Sequence, residues 1–287
     1  MPAPQPPSSP RQRLERLQQL KVRTGLLPVA EQAALAGVGF EPVTEVIGAL
    51  AKQVQPTGFY SAGNYWQDRR GRTYTSSTAP VSVGKPLRIK ELKEGNRTVL
   101  ARIRAEAQAA GADGVVGLQL SLTREGRSGG TELWRFLAVG TAVRSTGRRR
   151  AATPFTTDLS GTDVASAVRA GWVPLSMVIA PVMAIRLVDP WSQGARRRWA
   201  PPGEIAAYAD VVGVCRRQAR DDFAAEAERA GGDAAVLSRM ELDFDPNRNE
   251  GYCEAMVTVT GTALGQFRAP AREAGLPIMR LSSKGEQ

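Results

Sequence analysis

The sequence predicts an α+β protein made of two tandem β-loop-α-β-β units. Three observations carry that reading. Short motifs recur in the same order at offsets of 132, 120 and 121 positions. Two long stretches show helical periodicity and end at a glycine, and each is followed by residues that alternate apolar and polar, as half-buried strands do.

Each unit opens on a strand. Gly39-Phe40-Glu41-Pro42-Val43 with Val46-Ile47 matches Gly171-Trp172-Val173-Pro174-Leu175 with Val178-Ile179, placing strands over about 42–54 and 173–187. A variable loop follows, 12 residues longer in the first unit. Helices come next, over about 91–110 and 204–230. Val99, Ile103, Ala107 and Ala110 form one apolar stripe, and Val212, Cys215, Ala219, Phe223 and Ala227 form the other. Glu106-Ala107 precedes Gly111-Ala112-Asp113, and Glu226-Ala227 precedes Gly231-Gly232-Asp233, so Gly111 and Gly231 act as helix C-caps. After the first cap, Val116, Leu118, Leu120 and Leu122 alternate with Gln119, Ser121 and Thr123; after the second, Met240, Leu242 and Phe244 alternate with Glu241, Asp243 and Asp245. A turn leads into a last strand that carries Gly140-Thr141-Ala142 or Gly261-Thr262-Ala263.

The punctuation between these segments sets the domain organisation. Residues 1–24 form a disordered basic tail, Pro- and Ser-rich at first, in which 11–23 can make a short basic helix. The first domain covers 25–144, a linker of small residues, arginines and proline covers 145–157, the second domain covers 158–268, and 269–287 is a C-terminal tail.

Composition removes several chemistries. The chain has 287 residues, no His and 2 Cys, so it holds no Ser-His-Asp or Cys-His machinery, no His-ligated zinc and no four-cysteine site. Cys215 and Cys253 read as small core residues. Neither a P-loop nor a dinucleotide-binding glycine motif occurs. The most apolar run, Trp172 to Val188, contains Pro174, Pro181 and Arg186, which argues against a membrane span. With no apolar signal-peptide core at the N-terminus, a cytoplasmic protein is expected. The net charge of +10 sits wholly in three segments, residues 1–24, Arg148 to Arg150, and 186–199, so the domain bodies are neutral.

The run Glu106-Ala107-x-x-x-Gly111-Ala112-Asp113-Gly114-Val115-Val116-Gly117, followed by Val139-Gly140-Thr141-Ala142-Val143, resembles the signature of the YbjQ-like family, described as heavy-metal-binding domains. Arg169-Ala170-Gly171-Trp172-Val173-Pro174, with Ala184-Ile185-Arg186, is similar to its tandem-domain members. The resemblance implies dodecin-type α+β subunits and a homo-oligomer closed into a five-fold or pseudo-symmetric ring. It also implies a metal-binding label, which zero His and 2 Cys weaken because soft metals prefer imidazole and thiolate. On this reading the protein is a non-enzymatic, ring-forming binding or scaffold module without a cofactor.

Two sets of residues stand out. Glu106, Gly111, Asp113 and Gly140, with Glu226, Gly231, Asp233 and Gly261, recur in both units, and backbone capping accounts for their carboxylates more simply than a metal does. The loops after the first strands place Trp66 before Arg69, Arg70 and Arg72, and Trp191 before Arg196, Arg197, Arg198 and Trp199. Guanidinium groups beside aromatic rings suit an anionic ligand or nucleic acid, and equally suit contacts between subunits. Asp243, Asp245, Asn247, Asn249 and Glu250 form an acidic hairpin rim that lacks the spacing of a calcium loop.

Overall fold

The computed structural model describes residues 26–54, 65–67, 73–75, 82–84, 87–127, 131–147, 152–187, 206–245, 252–268 and 279–280. In chain order these form α1 (Val29–Ala36), β1 (Phe40–Val54), β2 (Tyr65–Gln67), β3 (Thr73–Thr75), β4 (Ser82–Gly84), α2 (Leu87–Ala109), β5 (Gly114–Arg127), β6 (Thr131–Ser145), β7 (Phe155–Thr156), α3 (Gly161–Arg169), β8 (Trp172–Leu187), α4 (Ala206–Arg229), β9 (Ala234–Asp245), β10 (Tyr252–Gln266) and β11 (Met279–Arg280). Sheet 1 has the order β1-β6-β5-β7 and sheet 2 the order β11-β9-β10-β8-β4, with β2 and β3 as a separate ribbon.

Both long helices end in the same way. Gly111 has φ +65, and the N–H of Ala112 donates to Ala107 O at 2.9 Å while that of Gly111 donates to Gln108 O at 2.9 Å. Gly231 has φ +80, with Gly232 N to Ala227 O at 3.0 Å and Gly231 N to Glu228 O at 2.9 Å. These paired bonds are the Schellman closure, and its left-handed residue favours glycine because a Cβ there crowds the following carbonyl. Each following aspartate then ties the turn to the last strand. Asp113 Oδ2 accepts from Ser145 N and Asp233 Oδ2 from Gln266 N, both at 2.8 Å.

The apolar stripes decide the layering. On α4, Val211, Cys215, Ala219, Phe223 and Ala227 are fully buried against Val178, Ala180, Val182 and Ala184 of β8 and Val257 and Val259 of β10. α2 is apolar on two sides. Val99, Ile103 and Ala107 pack with Val46, Trp134, Phe136 and Ala138 of sheet 1, and the same core takes in Met177, Met183, Ile185 and Met256 from the opposite face of sheet 2. The order of layers is therefore α4, sheet 2, α2, sheet 1. Lys93 Nζ reaches Asp222 Oδ2 at 3.2 Å and Arg97 Nη2 reaches Glu226 Oε1 at 3.8 Å, linking α2 to α4. A smaller core joins α1 and α3 to one end of sheet 1 through Leu35, Val164, Val116 and Val143. α3 is started by Ser160, whose Oγ accepts from Asp163 N at 3.1 Å.

Two sequence expectations are corrected. The chain does not build two tandem units similar to YbjQ-like or dodecin-type subunits. It makes two sheets and four described helices in which each sheet takes a strand from beyond its own half: β4 pairs with β8, and β7, drawn from the expected linker, lies parallel to β5. The open edges of β8 and β5 accept these short strands because unpaired ladder groups are otherwise unsatisfied. The unbroken alternation from Val116 to Leu122 is also wrong. Gly117, at φ +63, sits in a bulge between Val116 and Gln119, so Val115 and Leu118 share the α2 core while Val116 packs beneath α1 and α3.

Candidate functional site

The inner faces of the two sheets diverge where α2 no longer separates them, and between them lies a cleft of about 1200 Å³. Its position follows from the strand edges. β7 covers β5 only at Gly114 and Val115, and β11 covers β9 only at Ala234 and Ala235. Beyond those points the outer edges of β5 and β9 pair with no strand among the described residues, and both border the opening.

The walls differ in character. Leu120 and Leu122 line the β5 side, Arg239, Glu241 and Asp243 the β9 side, and Met177, Ile179 and Met256 the floor. One bridge crosses it, from Arg124 Nη2 on β5 to Asp243 Oδ2 on β9 at 3.5 Å, with the guanidinium 6.0 Å from the centre of the Trp134 ring. Arg239 pairs along its own strand with Glu241 at 3.2 Å. At the opposite end the fully buried hydroxyls of Thr157 and Thr262 lie 2.8 Å apart, and Thr262 Oγ1 donates to Asp158 Oδ1 at 2.7 Å. Near the mouth, burial pushes the Glu254 carboxyl above its usual range, the Arg88 guanidinium 3.7 Å away opposes this, and Asp245 and Asp243 reinforce it. An apolar wall facing a charged one, bordered by open strand edges, suits an amphipathic polypeptide segment.

The sequence-selected residues fall in three places. Glu106 and Asp113 are buried, Glu106 Oε2 accepting from Ile47 N at 2.9 Å. Gly140 and Gly261 lie beside the register shifts of their sheets; a Cβ at Gly140 would sit 2.7 Å from Val115 Cγ1, and one at Gly261 would collide with Val236 O. Glu226 pairs with Arg229 at 2.7 Å and Arg97, and does not repeat the strand contact of Glu106. Trp66 belongs to β2 and is paired in register with Tyr74. Arg69, Arg70, Arg72, Trp191, Arg196, Arg197, Arg198 and Trp199 lie outside the described residues, as do Asn247, Asn249 and Glu250. The cleft itself went unnoticed in the sequence, since its residues come from α2, β5, β8, β9 and β10 and no local spacing connects them.

The chain matches no protein-family model. It is 31% identical over 218 residues to an encapsulin nanocompartment protein of Mycobacterium tuberculosis, Rv1762c, an alignment that covers 74% of this chain and 75% of the relative. The chain belongs to the family of that encapsulin nanocompartment protein. This overturns the YbjQ-like identification, and with it the heavy-metal label and the ring-forming YbjQ-like function drawn from that resemblance. The motifs were too short to carry the identification: a capped helix, an aspartate after the cap and a Gly-Thr-Ala strand answer local geometry that many α+β chains share. The nucleic-acid alternative gains no support from this relationship, nor does the metal alternative, and no cluster of three or more metal-ligating side chains occurs among the described residues. The expectation of a non-enzymatic protein agrees with a relative named for a compartment. No described helix is long and apolar enough to cross a membrane.

Proposed function

We propose that the protein is a non-catalytic, self-associating component of a protein nanocompartment. The observation that supports this is the relationship to the mycobacterial nanocompartment protein, which extends over 218 aligned residues, longer than either half of the chain. An alignment of that length takes in residues from both sheets, so the relationship concerns the assembled architecture and not one motif. The cleft is compatible with the same reading, because its walls suit polypeptide. A cytoplasmic location is part of the proposal.

Sedimentation velocity and electron microscopy of the purified chain, alone and co-expressed with a nanocompartment, test it. The expected result is a homo-oligomer well above the 30.8 kDa of one chain, or co-migration with closed particles. A lone 30.8 kDa species that never accompanies particles overturns the proposal.

A further inference from the structure

A second, smaller cavity of about 280 Å³ opens at the free edge of β8. β4 pairs with β8 only from Met183 to Ile185, and over Ser176 to Ile179 no strand pairs with this edge among the described residues. α2 and α4, which pack on opposite faces of sheet 2, meet around it. α2 contributes Lys93, Arg97, Leu100 and Arg104, which spacings of three and four set on one stripe. α4 contributes Glu226 and Arg229 from its last turn.

The charges around this cavity do not balance. Lys93 Nζ has Asp222 Oδ2 at 3.2 Å, while Arg97 and Arg229 share one carboxylate, that of Glu226, at 3.8 and 2.7 Å. Arg104 pairs with no carboxylate among the described residues. Its Nη2 donates to Thr156 Oγ1 at 3.0 Å and to Ser176 Oγ at 2.7 Å, so the donors on Nη1 and Nε stay uncommitted among the described residues. Thr156 Oγ1 also accepts from Met177 N at 3.2 Å, and Ser176 Oγ donates to Met177 O at 3.1 Å, which ties the guanidinium to the backbone of β8. Four cations thus meet two carboxylates, an excess of two positive charges. Arg97 and Arg229 are mostly exposed, and water screens them. Arg104 is the cation that burial penalises, pushing its guanidinium below the ordinary value, and two neutral hydroxyls offset that cost less than an anion would.

A doubly charged anion answers both the excess charge and the open donors. A phosphate monoester carries about two negative charges at neutral pH and has acceptor oxygens for several guanidinium N–H groups. A carboxylate or a sulfate ester carries a single charge. Beside the cations lie Leu100, Met177 and Val178, apolar side chains suited to the organic part of such a molecule. The volume admits a small molecule and is far too small for a folded polymer. We infer that this cavity binds the phosphate group of a small phosphate monoester, with Arg104 as the fixed anchor and Arg97 and Arg229 at its rim. The site uses none of the arginines that follow Trp66 and Trp191. The inference goes beyond the proposed function and does not depend on it.

Isothermal titration calorimetry of the full chain at low salt tests this with phenyl phosphate, phenyl sulfate, benzoate, inorganic phosphate and a single-stranded oligonucleotide. Phenyl phosphate is expected to bind about tenfold or more tighter than phenyl sulfate or benzoate, because the second charge is what the site lacks. Inorganic phosphate, without an apolar part, should bind more weakly than phenyl phosphate. Arg104→Lys keeps the charge but not the planar fork, and should weaken phenyl phosphate about tenfold or more, with Arg229→Gln weakening it about threefold or more. Arg216→Gln removes the same charge from an exposed position on α4 that does not line the cavity, and should bind as the wild type does. Circular dichroism checks that Arg104→Lys is folded. If it is not, the double variant Arg97→Gln with Arg229→Gln takes its place, with a loss of about tenfold expected. Absence of phenyl phosphate binding in the wild type, equal affinity for benzoate, or equal losses in Arg216→Gln and Arg229→Gln overturns the inference. Tighter binding of inorganic phosphate removes the organic ligand and overturns it, and tighter binding of the oligonucleotide assigns the charge to a polymer backbone and overturns it as well.

Discussion

Glu106 Oε2, on α2, accepts a hydrogen bond from the backbone N–H of Ile47, on β1, at 2.9 Å. β1 is an edge strand, so this N–H points away from the ladder with β6, and the helix side chain takes the place of a neighbouring strand. Arg102 repeats the device two residues on by donating to Ala49 O. Glu106 is 2% exposed, so removing its carboxylate takes away a buried acceptor and leaves the Ile47 donor without this partner. Glu106→Ala is expected to lower the unfolding free energy by about 1–3 kcal/mol in urea titrations, and Glu106→Gln, which retains an acceptor, by less. Equal losses in the two variants would show that the contact to Ile47 is not what matters.

Gly95 lies in the middle of α2 directly under the ring of Phe136, and a Cβ there would overlap that ring. Helix propensity alone would make Gly95→Ala stabilising by about 1 kcal/mol. Overpacking against a ring that is itself 2% exposed reverses the sign, and a net loss of about 1–3 kcal/mol is expected from denaturant unfolding. Gly126→Ala serves as the control, since nothing lies within 4 Å of its added methyl.

Gly231 isolates the conformational part of a glycine's role. Its φ is +80, and an added Cβ would meet nothing within 4 Å, so only backbone strain opposes a side chain there. Gly231→Ala is expected to cost about 1–2 kcal/mol, with Gly231→Asn costing less because asparagine tolerates the left-handed region. A neutral alanine variant would mean that the turn shifts out of this conformation.

Glu254 makes a pH prediction with a definite sign. Burial raises its folded-state value, partly offset by Arg88 on α2, raised further by Asp245 and Asp243 on β9, and lowered again by Arg124 on β5. The folded protein therefore holds this proton more tightly than the unfolded chain. The group's contribution to stability is greatest below the ordinary value of about 4.3 and is lost as pH rises through the folded value. Urea unfolding from about pH 4 to pH 7 should show Glu254→Gln gaining on the wild type as pH increases. A gap that stays constant, or that moves the other way, contradicts the raised value.

Cys215 and Cys253 form no disulfide and are fully buried, and burial pushes the Cys215 thiol up, away from its reactive thiolate. Neither thiol is expected to react with a disulfide reagent in the native protein, and both should react at once in denaturant. Native labelling of either would place it at a surface that opens.

Local order was legible wherever one element contains the whole signal. Val99, Ile103 and Ala107 mark the α2 stripe by their spacing, and Gly111 and Gly231 mark where helices stop because a left-handed residue is required there. Two features escaped. α1 and α3 are short, and although Ser160 and Asp163 announce the start of α3, eight or nine residues carry too few apolar repeats to stand out. The bulge at Gly117 moved Val116 to the opposite face from Leu118, which alternation by itself cannot register.

The amino-acid order by itself determined the two long helices, their glycine caps, the long strands and the exclusion of histidine and cysteine chemistry, because those depend on neighbours a few residues apart. Tertiary structure decided which strands share a sheet, that α2 is held between two of them, that β5 and β9 border a cleft, and that Ile47 and Leu137 face outward. These depend on how apolar faces from distant segments are apportioned, and a face such as that of Leu137 and Val139 looks the same in sequence whether a helix covers it or not.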